Sequence, residues 1–179
     1  MSPDSEARER RDDLAAQALR ICEERSLFIA AAESLTGGLL ADAFVRIPGA
    51  SKVFLGSAVT YDIHAKAGIL GVDADLLKRE GAVHPQVAMQ MARDTAKLYT
   101  TLPEYHDRVV GLATTGVAGP GPDGDKPAGL VYIGLSLPCD GHSGESTVEA
   151  RELHLSGTRE QVRLRTVEAV LERLNELLD

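Results

Sequence analysis

Helix-period and strand-period stretches alternate along nearly the whole of this 179-residue chain, and that alternation leaves few folds open. Residues 4–25 carry Leu14, Ala18, Ile21 and Cys22 as an apolar stripe among Arg and Glu, which predicts an amphipathic helix. The apolar run 27–32 predicts a buried strand. Glu33-Ser34-Leu35-Thr36-Gly37-Gly38 turns it into a second helix, 39–45, that stops before Pro48-Gly49. A strand over 53–61 follows, then short helices over 65–70 and 73–80, the second capped by Asp73. A longer amphipathic helix over 85–99 carries Val87, Met91, Ala92 and Ala96 on one side. Residues 109–114 predict a strand and 116–127 a Pro/Gly loop. Residues 130–137 and 146–155 predict two strands joined by a polar loop, 138–145. The last helix, 158–178, turns Val162, Val167, Val170, Leu171 and Leu174 inward. This interleaving predicts an α/β fold, a three-layer α/β/α sandwich. The two consecutive late strands make its sheet mixed. The length suits one domain over residues 1–179.

An apolar fraction of 44% supplies a core for a chain of this size. The net charge of −8, with no basic stripe, argues against nucleic acid and anionic membranes as partners. The charged N-terminal residues lack an apolar stretch behind them, so neither a signal peptide nor a membrane anchor is expected, and a cytoplasmic protein is the plain inference. Cys22 and Cys139 lie far apart with no CxxC, which points away from a disulfide framework and from zinc. Asp62, His64, Asp123, Asp125, His142 and Glu145 match no metal-ligand spacing. A Cys139–His142 nucleophile has no third group to orient it.

Three stretches can carry chemistry. A hydroxyl stands on the turn Pro48-Gly49-Ala50-Ser51, followed by a strand and then by Tyr61 and Lys66. A desolvated lysine can take a serine's proton near neutral pH, so this order predicts hydrolysis without a metal or an organic cofactor. Contact between Ser51 and Lys66 requires the strand between them to fold back; without it they are unrelated surface groups. The Ser34-Leu35-Thr36-Gly37-Gly38 turn opens a helix, where free N–H groups can cradle an anion or an ordinary N-cap can close the helix start. Gly119, Gly121 and Gly124 match GxGxxG, but two prolines remove donors and the loop runs into a strand, which rules out a dinucleotide site. That loop either presents Thr114, Thr115 and backbone amides at a strand end or is a connector. Arg159 and Arg163, one helical turn apart, could grip a phosphate or carboxylate, or lie on a solvated face beside Glu160.

Taken in order, these motifs resemble the C-terminal domain family of the competence/damage-inducible protein CinA, which includes stand-alone nicotinamide-nucleotide amidohydrolases. The matching pieces are Glu33 to Gly38, Pro48 to Ser51, Tyr61 with Ala65-Lys66, Ile69-Leu70-Gly71-Val72, Gly81-Ala82-Val83, Thr115-Gly116-Val117-Ala118-Gly119-Pro120, Lys126-Pro127-Ala128-Gly129, and Gly157-Thr158-Arg159-Glu160-Gln161-Val162-Arg163. The resemblance implies an α/β/α fold and hydrolysis of the carboxamide of nicotinamide mononucleotide to nicotinate mononucleotide and ammonia. It implies Ser51 as nucleophile, Lys66 as general base, and Tyr61 and Thr115 as assisting groups. Ser34, Thr36, Gly37, Gly38, Gly116 and Arg159 would bind the nucleotide. The family habit also implies a homo-oligomer. Leu35 stands where the family usually has Cys, Ala50 where a second serine is common, Ile63-His64 where Asn-Glu is common, and His84 where a serine is usual.

Overall fold

β1 (Phe28–Glu33) is an almost purely apolar run because it lies in the middle of a sheet covered on both faces. The computed structural model describes residues 3–139 and 146–179. The sheet has five strands in the order β2-β1-β3-β4-β5, with β2 (Phe54–Val59), β3 (Val109–Gly116), β4 (Leu130–Leu137) and β5 (Thr147–His154). β1 pairs in parallel with β2 and β3; β3, β4 and β5 pair antiparallel. The sheet is therefore mixed, and the fold is the α/β sandwich that the alternation predicts.

Alternation of side chains along the strands divides the core between two helical layers. Ile29, Ala31, Val110, Leu112, Ile133 and Leu135 meet α1 (Pro3–Glu24), α2 (Leu39–Val45) and α6 (Arg159–Leu178) on one face. Ala32 and Ala113 meet α4 (Ala74–Glu80) and α5 (Pro85–Tyr99) on the other. On that second face α5 rides close to the strands. A Cβ built on Gly111 would stand 1.9 Å from the Ala92 carbonyl oxygen, so a glycine is required there.

The helix starts follow the sequence. Asp73 caps α4, and Thr158 with Gln161 forms a capping box on α6. His84 caps α5 through Nδ1, which accepts from the Gln86 N–H at 3.2 Å, with Pro85 in the first turn. Two strand ends lie two residues from where the sequence reading puts them. β3 runs on to Gly116 because β4 pairs with it as far as Val131. β2 ends at Val59, since Asp62 starts a new turn: α3 (Ile63–Ala65) passes into a π-helical turn, Lys66–Leu70. His142 and Glu145, and most of the predicted 138–145 loop, lie outside the described residues. Among the described residues no helix is long and apolar enough to cross a membrane.

Candidate active site at the carboxyl ends of the parallel strands

Three parallel strands end on the same edge of the sheet, and their last residues converge there: Ser34 after β1, Thr60 and Tyr61 after β2, Thr114 and Thr115 in β3. Such edges are where open α/β sheets hold ligands.

Lys66 reaches back from the π turn to this edge and is fully buried. Its Nζ lies 3.0 Å from Ser34 Oγ, 2.5 Å from the Thr60 carbonyl oxygen and 3.3 Å from that of Tyr61. Those carbonyls are available because β2 has ended and the chain is turning under Asp62, whose carboxylate caps α3. A neutral amine has two N–H bonds and one lone pair. Two carbonyls can hold the N–H groups, and the lone pair then faces the Ser34 hydroxyl. Burial drives the Lys66 pKa down to about 8 against a partial opposing pull from the Asp62 charge. Near pH 7 about a tenth of the side chain is then neutral. A neutral lysine amine can accept a proton from a serine hydroxyl beside it, which is one of the ways a serine is activated for nucleophilic attack.

Ser51 does not take part in this contact. It lies in the 3-10 turn Ala50–Lys52, at the amino end of β2, exposed and beside a groove of about 460 Å³ lined with Val45, Ile47, Phe54 and Leu55. Lys66 follows the carboxyl end of the same strand. Six residues of β2 at ~3.3 Å each hold the two about 20 Å apart. A hydroxyl before a strand and a lysine after it sit at opposite ends unless the strand doubles back, and β2 does not. Within this chain Ser34, expected as a binding residue, is the hydroxyl at the lysine.

The helix start after Ser34 departs from an anion cradle for an equally concrete reason. The fully buried Glu33 carboxylate occupies it. Oε2 accepts from the Gly38 and Leu40 N–H groups at 2.9 and 3.0 Å and from the Thr36 hydroxyl at 2.7 Å; Oε1 accepts from the Ala41 N–H and the Ser57 hydroxyl. The Gly37 N–H donates to the Ser34 carbonyl. The Thr36 hydroxyl and the Gly37 and Gly38 N–H groups are thus spent on building the turn and are not offered to a ligand. Sequence reasoning missed Glu33. The signal was an acidic residue ending an otherwise apolar strand, directly before a Gly-Gly helix start.

Thr115 is buried and its hydroxyl donates to the Ala82 carbonyl, which ties β3 to the loop before α5. The Thr114 hydroxyl bonds that of Thr36 at 2.8 Å, and the Ser34 N–H donates to the Thr114 carbonyl. Tyr61 is 64% exposed, and its hydroxyl accepts from Arg159 at 3.1 Å. Arg159 also donates to the Gly119 carbonyl. These two side chains, Leu35 and the loop from Gly116 to Asp123 enclose a pocket of about 240 Å³. Arg163, one turn further along α6, donates to the carbonyls of Leu35 and Thr36 at 2.8 and 2.9 Å. Among the described residues neither arginine has a carboxylate within ion-pair reach. Arg159 is the one that faces the pocket; Arg163 braces the turn.

Among the described residues no group of three or more His, Cys, Asp or Glu side chains converges as a metal site would require. Cys22 is buried with its thiol pushed up to about 12 by desolvation, which makes it inert, and Cys139 is exposed.

The family model for the CinA C-terminal domain matches residues 11–178. A CinA-like protein of Frankia casuarinae is 41% identical over 168 residues, 93% of this chain and 35% of that protein. One of Dictyoglomus turgidum is 45% identical over 144 residues, 80% of this chain and 32% of that protein. The chain thus spans about a third of the length of the curated relatives it matches. Among solved structures, the competence/damage inducible protein CihA from Agrobacterium tumefaciens superposes with a TM-score of 0.82 at 33% identity, covering 95% of this chain and 96% of that one.

Proposed function

The chain belongs to the CinA C-terminal domain family, and from that premise we propose that it is a metal-independent amidohydrolase acting on the carboxamide of nicotinamide mononucleotide. The observation that carries the reading is the buried lysine whose amine meets a serine hydroxyl and two carbonyls. Neutral Lys66 takes the Ser34 proton as Oγ attacks the carboxamide carbon. The resulting ammonium returns that proton to the leaving nitrogen, and ammonia departs. Water then attacks the ester left on Ser34 and gives a proton to Lys66, which passes it to the Ser34 oxygen as that oxygen leaves, so that nicotinate mononucleotide is released and both groups return to their starting state. Arg159, facing the pocket without an anionic partner, suits the phosphate of such a substrate. Tyr61 and the Gly116 end of β3 wall the same pocket. Ile63 and His64, where relatives commonly have Asn-Glu, lie on the exposed turn beyond it, and His84 serves as a helix cap, so none of the three removes a member of the Ser34–Lys66 pair.

The test is direct. Nicotinamide mononucleotide, incubated with the protein in the presence of a strong chelator, yields ammonia and nicotinate mononucleotide in equal amounts. Lys66→Met lowers the rate about 10³-fold or more. Binding of the intact mononucleotide with no ammonia over hours would instead make this a nucleotide-binding module. The same reading takes the protein to be cytoplasmic and a homo-oligomer, and a monomeric mass in solution contradicts the latter.

A further inference from the structure

We propose that the N–H groups of Leu35 and Thr36 form the oxyanion-binding site of this centre, and that Arg163 is the positioning residue that aligns and polarises it. The inference rests on Ser34 being the nucleophile.

Leu35 and Thr36 are buried, and buried backbone N–H groups almost always have acceptors. Around them the turn is fully bonded. The Ser34 N–H donates to Thr114, Gly37 to Ser34, Gly38 to Glu33, and Leu39 to Thr36. The N–H groups of Leu35 and Thr36 have no acceptor in hydrogen-bonding geometry among the described residues. They are the two donors that directly follow the hydroxyl that Lys66 touches. In strand-turn-helix hydrolases the donor after the nucleophile is where a tetrahedral oxyanion is held.

Arg163 supplies the second half of the argument. The Leu35 carbonyl and the Thr36 N–H belong to one peptide group, and Arg163 Nε donates to that carbonyl. A cation on the oxygen of a peptide draws charge from its nitrogen and makes the N–H a stronger donor. The Thr36 carbonyl, on the next peptide, is held by the same guanidinium. These two contacts fix the Leu35–Thr36 and Thr36–Gly37 peptides and so the direction of the Thr36 N–H, while the Leu35 N–H lies on the preceding peptide, whose Ser34 carbonyl accepts from the Gly37 N–H. Glu33 fixes the far end of the turn through Thr36 and Gly38. A planar fork is needed for both carbonyls, so a lysine cannot replace it fully.

The experiment compares wild type, Arg163→Lys and Arg163→Met in two assays. In ammonia release, Arg163→Met lowers kcat about 10²-fold and Arg163→Lys about tenfold, with KM little changed. Arg159→Met gives the opposite split, a raised KM with kcat largely kept. In the second assay a fluorophosphonate probe labels Ser34, and mass mapping follows the rate of labelling. Formation of the tetrahedral phosphorus adduct uses the same donors, so the Arg163 variants label at least about tenfold slower than wild type. This readout needs no mononucleotide turnover. A wild type that labels at Ser34 but releases no ammonia overturns the substrate assignment and leaves the oxyanion site standing if the Arg163 variants label slowly. Equal labelling of wild type and folded Arg163→Lys overturns the inference, as does a change confined to KM. No label on Ser34 in wild type overturns the nucleophile and the oxyanion site together. Should Arg163→Met fail to fold, Arg163→Lys carries the test.

Discussion

At the scale of the residue, Lys66 is the informative group. The fold withdraws it from water and lowers its pKa from 10.5 to about 8. The catalytic rate therefore rises with pH as the amine loses its proton and levels off above an apparent pKa near 8, measured as kcat between pH 6 and 9.5. A flat profile contradicts the role of Lys66 as base. The same shift appears in stability. Between pH 8 and 10.5 the unfolded chain binds the Lys66 proton and the folded chain does not, so folding is favoured more strongly as pH rises through that window. Below pH 8 the benefit is lost. Urea midpoints of wild type minus those of Lys66→Met should climb across the window and be level below it. Lys66 was legible from sequence as a candidate base, but the hydroxyl that the fold sets beside it was not. The serine on the Pro48-Gly49 turn looked better placed because Pro-Gly turns expose their residues. What decided the matter was which end of β2 each residue occupies, a fact that spacing along the chain does not carry.

At the scale of the element, Glu33 joins β1 to α2. Its carboxylate meets five donors, three of them N–H groups of the helix start. Glu33→Ala leaves those donors buried without an acceptor and should lower stability by about 3 kcal/mol or more, read as a fall in the urea midpoint. Glu33→Gln keeps the shape but sets an amide N–H₂ against N–H donors, so it should rescue only part of the loss. Stability unchanged in Glu33→Ala contradicts the account of this joint. The sequence reading placed the strand, the turn and the helix here correctly. It misjudged what satisfies the helix start, because a glutamate ending a strand gives no sign of whether it faces solvent or turns back over the following helix. By contrast, the caps of α4 and α6 are local bonds between residues two or three apart, and Asp73 announced its cap plainly.

At the scale of the whole molecule, the mixed sheet divides the labour. The parallel half, β2-β1-β3, delivers the chemical groups to one edge, while β4 and β5 extend the surface on which α5 and α6 pack. α5 must lie close to the strands for this, and Gly111 permits it. Gly111→Ala would push a methyl into the Ala92 carbonyl and should cost about 3 kcal/mol, with ammonia release falling only as the folded fraction falls. An unchanged midpoint contradicts the close approach. The architecture was readable because burial on two faces, periodicity and Gly/Pro punctuation each leave a local trace. The site was readable only in its ingredients, since its geometry is created by three strand ends distant in sequence.

The central claim is that Ser34, and not Ser51, is the alcohol activated by Lys66. Ammonia release from nicotinamide mononucleotide by Ser34→Ala and Ser51→Ala, measured side by side on folded protein, tests it most directly. Ser34→Ala should lose about 10³-fold or more, and Ser51→Ala should stay within about twofold of wild type. Full activity in Ser34→Ala with loss in Ser51→Ala would contradict the account.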